Sequence, residues 1–240
     1  MRVSYGEMRR AAVDALRGLG LGFGQAEDAV EALLVTQAAF GRGYGLIRLA
    51  EAARDDSRPR PAPESTGNGQ ERIDLRGATL LPWAERIADL LRARHATGNG
   101  SHRLEVAGTA GGWVLPQIAR RLALAGIASR IEWAAPQGGH PDEAGSFLCF
   151  GGLAGLAPGQ VMLAHRQAPA GAAGRAGIVT GPEAASGLPA GARMVDLDAA
   201  LAGFIAEGLP VDAAEHAQWF AEIAARVRLP TSERSRAQAG

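Results

Sequence analysis

The chain has 240 residues, 47% of them hydrophobic and 21% charged, and its 25 basic and 25 acidic side chains cancel. That composition suits a globular chain, and a zero formal charge offers no basic field to concentrate a nucleic-acid backbone. No apolar run approaches the ~20 residues of a bilayer span. Lysine is absent, which excludes Schiff-base chemistry, a lysine general base and a Walker-type phosphate loop, because a permanently protonated guanidinium replaces the amine in none of them. The single cysteine, Cys149, excludes an intrachain disulfide and a thiolate-rich metal site. Met1 to Ser4 lead into a polar helical pattern rather than a signal peptide, so the expected location is cytoplasmic.

Ser4 and Glu7 have capping-box spacing, and Met8, Ala11, Ala12, Ala15 and Leu16 follow at helical intervals. Gly18, Gly20, Gly22 and Gly24 interrupt the pattern as an inter-helix turn, and Gln25 to Ala39 resumes it. The stretch Phe40 to Leu49 then sets alternating glycines beside Tyr44 and Arg48, with a short helix expected over Leu46 to Arg54. Pro59, Pro61 and Pro63 mark a linker or long loop over residues 56–72. Beyond it, Leu81 to His95 and Trp113 to Leu124 read as helices, and Arg103 to Gly108 and Ser129 to Ala134 as strands. The last three of these segments predict a βαβ unit with a parallel strand pair. Four later apolar runs, Ser146 to Phe150, Val161 to His165, Gly177 to Thr180 and Arg193 to Leu197, predict further strands of one mixed sheet. Asp198 to Glu207 and Asp212 to Val227 predict helices, with a frayed tail after them. The fold class is therefore α/β, a mixed sheet with flanking helices. An N-terminal helical segment (1–55) is expected to pack with the C-terminal helix and tail (212–240), beside a sheet domain (73–211).

Three signals carry chemistry. Gly108, Gly111 and Gly112 fall at a strand-to-helix turn where backbone amides favour a phosphate, and Glu132 lies in the next strand, where a ribose-binding acid is expected. Ala110 and Trp113 stand where the dinucleotide fingerprint has glycines, so a tight structural turn is the alternative reading. His140, Asp142, Glu143 and Cys149 place a base, acids and a thiol close in sequence, although the apolar setting Phe147-Leu148-Cys149-Phe150 predicts a buried, inert thiol. Arg48 follows a glycine-rich stretch and can present two parallel donors to a carboxylate. The remaining histidines, His95, His102, His165 and His216, lack the spacing of a metal centre, and no metal is expected.

The segment Gly45-Leu46-Ile47-Arg48-Leu49 resembles the end of the second helix in the malate/L-lactate/L-sulfolactate dehydrogenase-like family. Ala135 to Gly139 is similar to that family's Pro-x-Gly-Gly loop, and Val227 to Pro230 to its C-terminal Val-Arg-Leu-Pro. The family carries a catalytic histidine where Tyr44 stands and a serine where Gly43 stands. Both ends of the chain also resemble a bacterial family of unknown function, of about this length. The matching positions are Val3, Ser4 and Glu7, the run Gly18 to Glu27, and Val227, Pro230, Glu233, Ser235 and Arg236.

The dehydrogenase resemblance implies a small-molecule enzyme that holds a small carboxylate on Arg48, with Tyr44 as proton donor and NAD or NADP as hydride source. A phenol of ordinary pKa near 10 is a usable acid at neutral pH and a poor base, which favours the reductive direction. It also implies that copies pair through the helical part. The missing histidine leaves open a non-catalytic subunit that binds a ligand or a partner protein. Neither nucleic acid nor membrane is an expected partner.

Overall fold

The computed structural model describes residues 1–52, 62–67, 70–98, 101–136, 145–167, 173–214, 216–218 and 221. Strand β1 (Arg2–Val3) leads into helix α1 (Tyr5–Gly18), whose N-terminus is capped by the Ser4 hydroxyl accepting from the Glu7 amide. This is the capping-box start that the sequence predicts. The glycine-rich turn is shorter than expected, since Gly18 ends α1 and Gly24 lies inside α2 (Phe23–Phe40). Helix α2 stops at Gly41, whose left-handed backbone (φ 67°) suits a residue without a Cβ.

Helix α3 (Gly43–Ala52) starts three residues earlier than its hydrophobic pattern suggests, so Gly43, Tyr44 and Gly45 are helical rather than part of a turn. Packing accounts for the early start. A Cβ on Gly43 would lie 2.6 Å from the Leu33 carbonyl oxygen, so only glycine lets α3 begin this close to α2.

Strands β2 (Glu64–Gly67) and β3 (Gln70–Asp74) pair antiparallel within and just beyond the stretch expected to be linker. Asn68-Gly69, the residues between the paired Gly67 and Gln70, form the dipeptide favoured in two-residue hairpin loops. The polar character of the segment reflects an exposed sheet edge. Helix α4 (Ala84–Thr97), β4 (His102–Ala107), α5 (Leu115–Leu124) and β5 (Ser129–Ala134) follow where the sequence places them, with short 3-10 turns before α4 and α5. Strands β6 (Ser146–Gly151), β7 (Gln160–Arg166), β8 (Arg175–Thr180) and β9 (Arg193–Asp196) precede α6 (Leu197–Glu207) and β10 (Leu209–Pro210).

The large sheet has the order β2-β3-β4-β8-β5-β6-β7-β9, and β1 pairs separately with β10. The expected neighbouring pair β4/β5 does not form, because β8 lies between them and runs antiparallel to both. Strand β8 suits this central place. Ala176, Ile178 and Thr180 are buried on the helix-covered side, while Gly177 keeps the other side low. The parallel pair that does form is β3 with β4.

The helices join the sheet in one core that runs from Val3 to Phe204. Arg120 of α5 ties the helical layer together, with its guanidinium on Glu31 of α2 (3.3 Å) and Asp198 of α6 (2.5 Å). Neighbouring Arg121 bonds Glu31 and Glu85. Asp196 caps α6 by accepting from the Ala199 amide at 2.8 Å. That amide, with a hydrogen bond from Gln160, holds the Asp196 carboxyl below its ordinary 3.8. A depressed folded-state pKa contributes stability that is present above the unfolded value and lost as pH falls through the folded one. Asp196→Ala is therefore expected to cost about 1 kcal/mol at neutral pH. In chemical denaturation, that difference from the wild type should vanish in acid below the lowered pKa.

Among the described residues no helix is long and apolar enough to cross a membrane. Residues 137–144, with the Pro-x-Gly-Gly loop's last three residues, His140, Asp142 and Glu143, lie outside the described residues, as do 222–240 with the C-terminal motifs.

Candidate functional site

Tyr44 and Arg48 are four residues apart on α3, which puts them on one face of the helix. Tyr44 is 1% exposed and Arg48 is half-buried. The start of α3 is tied to α2 by the Tyr44 amide, which donates to Gln37 Oε1 at 3.1 Å. The Tyr44 hydroxyl lies 3.4 Å from Nδ1 of His216, itself 6% exposed. His216 belongs to a helical segment, where its amide donates to the Asp212 carbonyl at 3.0 Å. The separation of 172 positions between the two partners explains why no local spacing pattern in the sequence marks them as a pair.

The first turn of α3 also touches the glycine turn, through Leu46. A Cβ on Gly111 would lie 3.3 Å from Leu46 Cδ2 and 2.8 Å from the Thr79 hydroxyl. Leu46 is two residues from both Tyr44 and Arg48 and projects from the opposite side of α3, so this contact joins the turn to the helix and not to the face that carries Tyr44 and Arg48. An aromatic wall stands beside the turn, with Trp113 centred 5.2 Å from Phe40 and 5.3 Å from Phe147. His165 sits edge-on to Trp113 at 6.2 Å.

The turn itself is closely packed. Gly108 (φ 60°) and Gly111 (φ 82°) take backbone conformations that disfavour side chains. A Cβ on Gly108 would stand 2.6 Å from Asp74 Oδ1, and one on Gly112 would overlap the Trp133 indole. The close approach each glycine permits is to the protein's own atoms. Glu132 lies apart from them. Trp133 covers Gly112 on the helix side, and in a strand the preceding side chain points to the opposite face. There the Glu132 carboxylate accepts from Arg166 at 3.1 Å and lies 3.7 Å from Arg130. Gly112 and Glu132 thus lie on opposite faces of β5.

Cys149 is fully buried, and burial pushes its thiol far above the ordinary range. The apolar setting read from the sequence is the physical cause. Iodoacetamide is expected to leave the native protein unlabelled at Cys149 and to label it after denaturation; rapid labelling of the native state would contradict this burial. Among the described residues no group of three or more His, Cys, Asp or Glu side chains is placed to hold a metal ion.

Several solved structures share this architecture. A dehydrogenase from Sinorhizobium meliloti is similar with a TM-score of 0.69 and 13% identity, over 95% of this chain and 99% of its own. Malate dehydrogenase from Pyrococcus horikoshii OT3 aligns with a TM-score of 0.67 and 10% identity, over 95% and 96%. Delta1-piperideine-2-carboxylate reductase from Pseudomonas syringae pvar. tomato gives 0.61 and 14%, over 93% and 99%. The fold is that of the malate/lactate dehydrogenase-like proteins. No family model and no curated protein matches the chain. At these identities the likeness establishes the fold alone.

Proposed function

We propose that this protein reduces a small 2-oxo-carboxylate, with Tyr44 as proton donor, His216 as its proton partner and Arg48 as the anchor for the substrate carboxylate. The observation that carries this reading is the contact between the Tyr44 hydroxyl and His216 Nδ1. A phenol protonates a carbonyl oxygen as negative charge develops there, and an imidazole beside it can return the proton. Arg48, one helical turn along the same face, can hold a carboxylate through two parallel N–H donors. Tyr44 and Arg48 then act on the two adjacent groups of a 2-oxo acid, its carbonyl and its carboxylate.

Reduction also needs a hydride donor, and the shared dehydrogenase fold makes NADH or NADPH the candidate. Because the Gly108–Gly112 turn is filled by its own neighbours, no residue there is assigned to hold it. The test is a melting curve with NADH or NADPH at millimolar concentration, together with oxidation of either by a panel of small 2-oxo acids. Stabilisation of a few degrees and turnover of one acid are expected. The absence of both would remove the reading.

One observation favours a second reading, a non-catalytic binding subunit. Tyr44 is 1% exposed, as befits a core side chain that ties α3 to the His216 segment. On that reading Tyr44→Phe lowers the melting temperature slightly and changes no reaction. Recovery of a stoichiometric partner from the native host would support it, and a homo-oligomer that turns over an oxo acid unaided would exclude it.

A further inference from the structure

The second face of the sheet carries a pocket that the chemistry at Tyr44 does not use. Helices α4, α5 and α6 contact the sheet, whose side chains Leu104, Val106, Ile131, Trp133 and Ile178 are almost completely buried. Their neighbours in sequence point the other way, and Arg103, Glu105, Arg130, Glu132, Gly177 and Val179 among them are half-buried or exposed. On this open face lies a cavity of about 560 Å³, lined by charged residues of β3, β4, β5, β7 and β8.

Gly177 of β8 forms part of its lining. It is paired across the strands with Glu105 of β4 on one side and Glu132 of β5 on the other. With strands spaced ~4.8 Å apart, the two carboxylate-bearing backbones are roughly 10 Å apart. A Cβ built on Gly177 meets nothing within 4 Å, so the space above this glycine is open. That sets it apart from the packed glycines at positions 108, 111 and 112.

Five arginines and three glutamates line the cavity, a local surplus of two positive charges in a chain of zero formal charge. Arg72 lies 3.5 Å from Glu105, and Arg166 and Arg130 share Glu132. Arg103 is drawn to Glu183, and Arg175 has no ion-pair partner among the described residues. Within the cluster, Arg166 Nε is shielded from solvent without a hydrogen bond, and Glu105 Oε1 and Arg130 Nε, equally shielded, have only the long ion pairs to Arg72 and Glu132. Buried polar atoms in that state are costly, and a ligand that completes their bonds recovers the cost.

We propose that this cavity binds a phosphorylated polyhydroxy compound. Its phosphate lies on the arginine cluster that includes Arg175, and its hydroxyls donate to Glu105 and Glu132 over Gly177. Guanidinium groups match phosphate oxygens geometrically, and carboxylates are acceptors for sugar hydroxyls. The site lies across the sheet from α3, so it is separate from the reduction proposed at Tyr44.

Isothermal titration with ribose 5-phosphate tests the proposal, with inorganic phosphate and ribose as separate arms. Ribose 5-phosphate is expected to bind at least about tenfold more tightly than either component alone. Gly177→Leu fills the cavity from an unstrained strand position and should abolish binding. Arg175→Gln, an exposed change that leaves the fold intact, should weaken it about tenfold. Tyr44→Phe should leave it unchanged, which separates this site from the reductase reading. The proposal is overturned if phosphate alone matches ribose 5-phosphate, if no probe binds, or if Arg175→Gln and Gly177→Leu, each folded by circular dichroism, bind as the wild type does.

Discussion

Tyr44→Phe is expected to lower oxo-acid reduction by about 10²- to 10³-fold while leaving the protein folded. Phenylalanine keeps the ring that Tyr44 buries and deletes only the hydroxyl that faces His216. If that hydroxyl delivers the proton, the loss appears in turnover, while the KM for the oxo acid, set by Arg48, changes little. The structural cost is the loss of the contact with His216, about 1 kcal/mol. His216→Gln should fall between the two, because it retains a polar side chain beside the phenol but cannot exchange protons at neutral pH. Full activity in Tyr44→Phe would show that the pair is structural.

The largest effect on stability is expected from a single methyl group. Gly112→Ala places its Cβ inside the indole of Trp133, a side chain that is 1% exposed and wedged between the sheet and the start of α5. Neither partner can yield easily. Gly112 opens the 3-10 turn that leads into α5, and Trp133 sits in β5 between β8 and β6. Overpacking of this kind costs about 1–3 kcal/mol, and this site belongs at the upper end because a rigid ring rather than a flexible side-chain end is in the way. Denaturant titration of Gly112→Ala should show the loss as an earlier midpoint with an unchanged slope. Gly177→Ala, in a regular strand with open space above it, should be close to neutral by the same measurement. A neutral Gly112→Ala would contradict the packing that explains this turn.

Much of the architecture is legible in the chain because it is local. Capping at Ser4, the 3.6-residue periodicity of α1 and α5 and the alternation in β5 each need only a few neighbouring residues to be read. What escapes depends on distant partners. Strand β8 enters between β4 and β5, and nothing near Arg103 or Ser129 announces a strand that begins only at Arg175. The β2-β3 hairpin is hidden by its polar, proline-flanked composition, although Asn68-Gly69 carried the signal.

The same division holds at the candidate site. Tyr44 and Arg48 stand out because they share a short helix whose end resembles a known family. His216 does not, since it reaches Tyr44 only once the chain has folded around the sheet. The glycines of the βα turn have a second explanation that only the fold supplies. Their spacing suggests a phosphate loop, whereas Gly108, Gly111 and Gly112 are needed for close contact with Asp74, Thr79 and Trp133. A glycine pattern records that something approaches the backbone, and only the fold shows whether it is a ligand or the protein itself.

The most direct test of the central claim is to follow NADH and NADPH oxidation by small 2-oxo acids with the wild type and Tyr44→Phe side by side. The account predicts turnover of at least one acid by the wild type and a loss of about two orders of magnitude in the variant, with both proteins folded. Equal rates in the two proteins, or no oxidation of either cofactor by any acid, would contradict it.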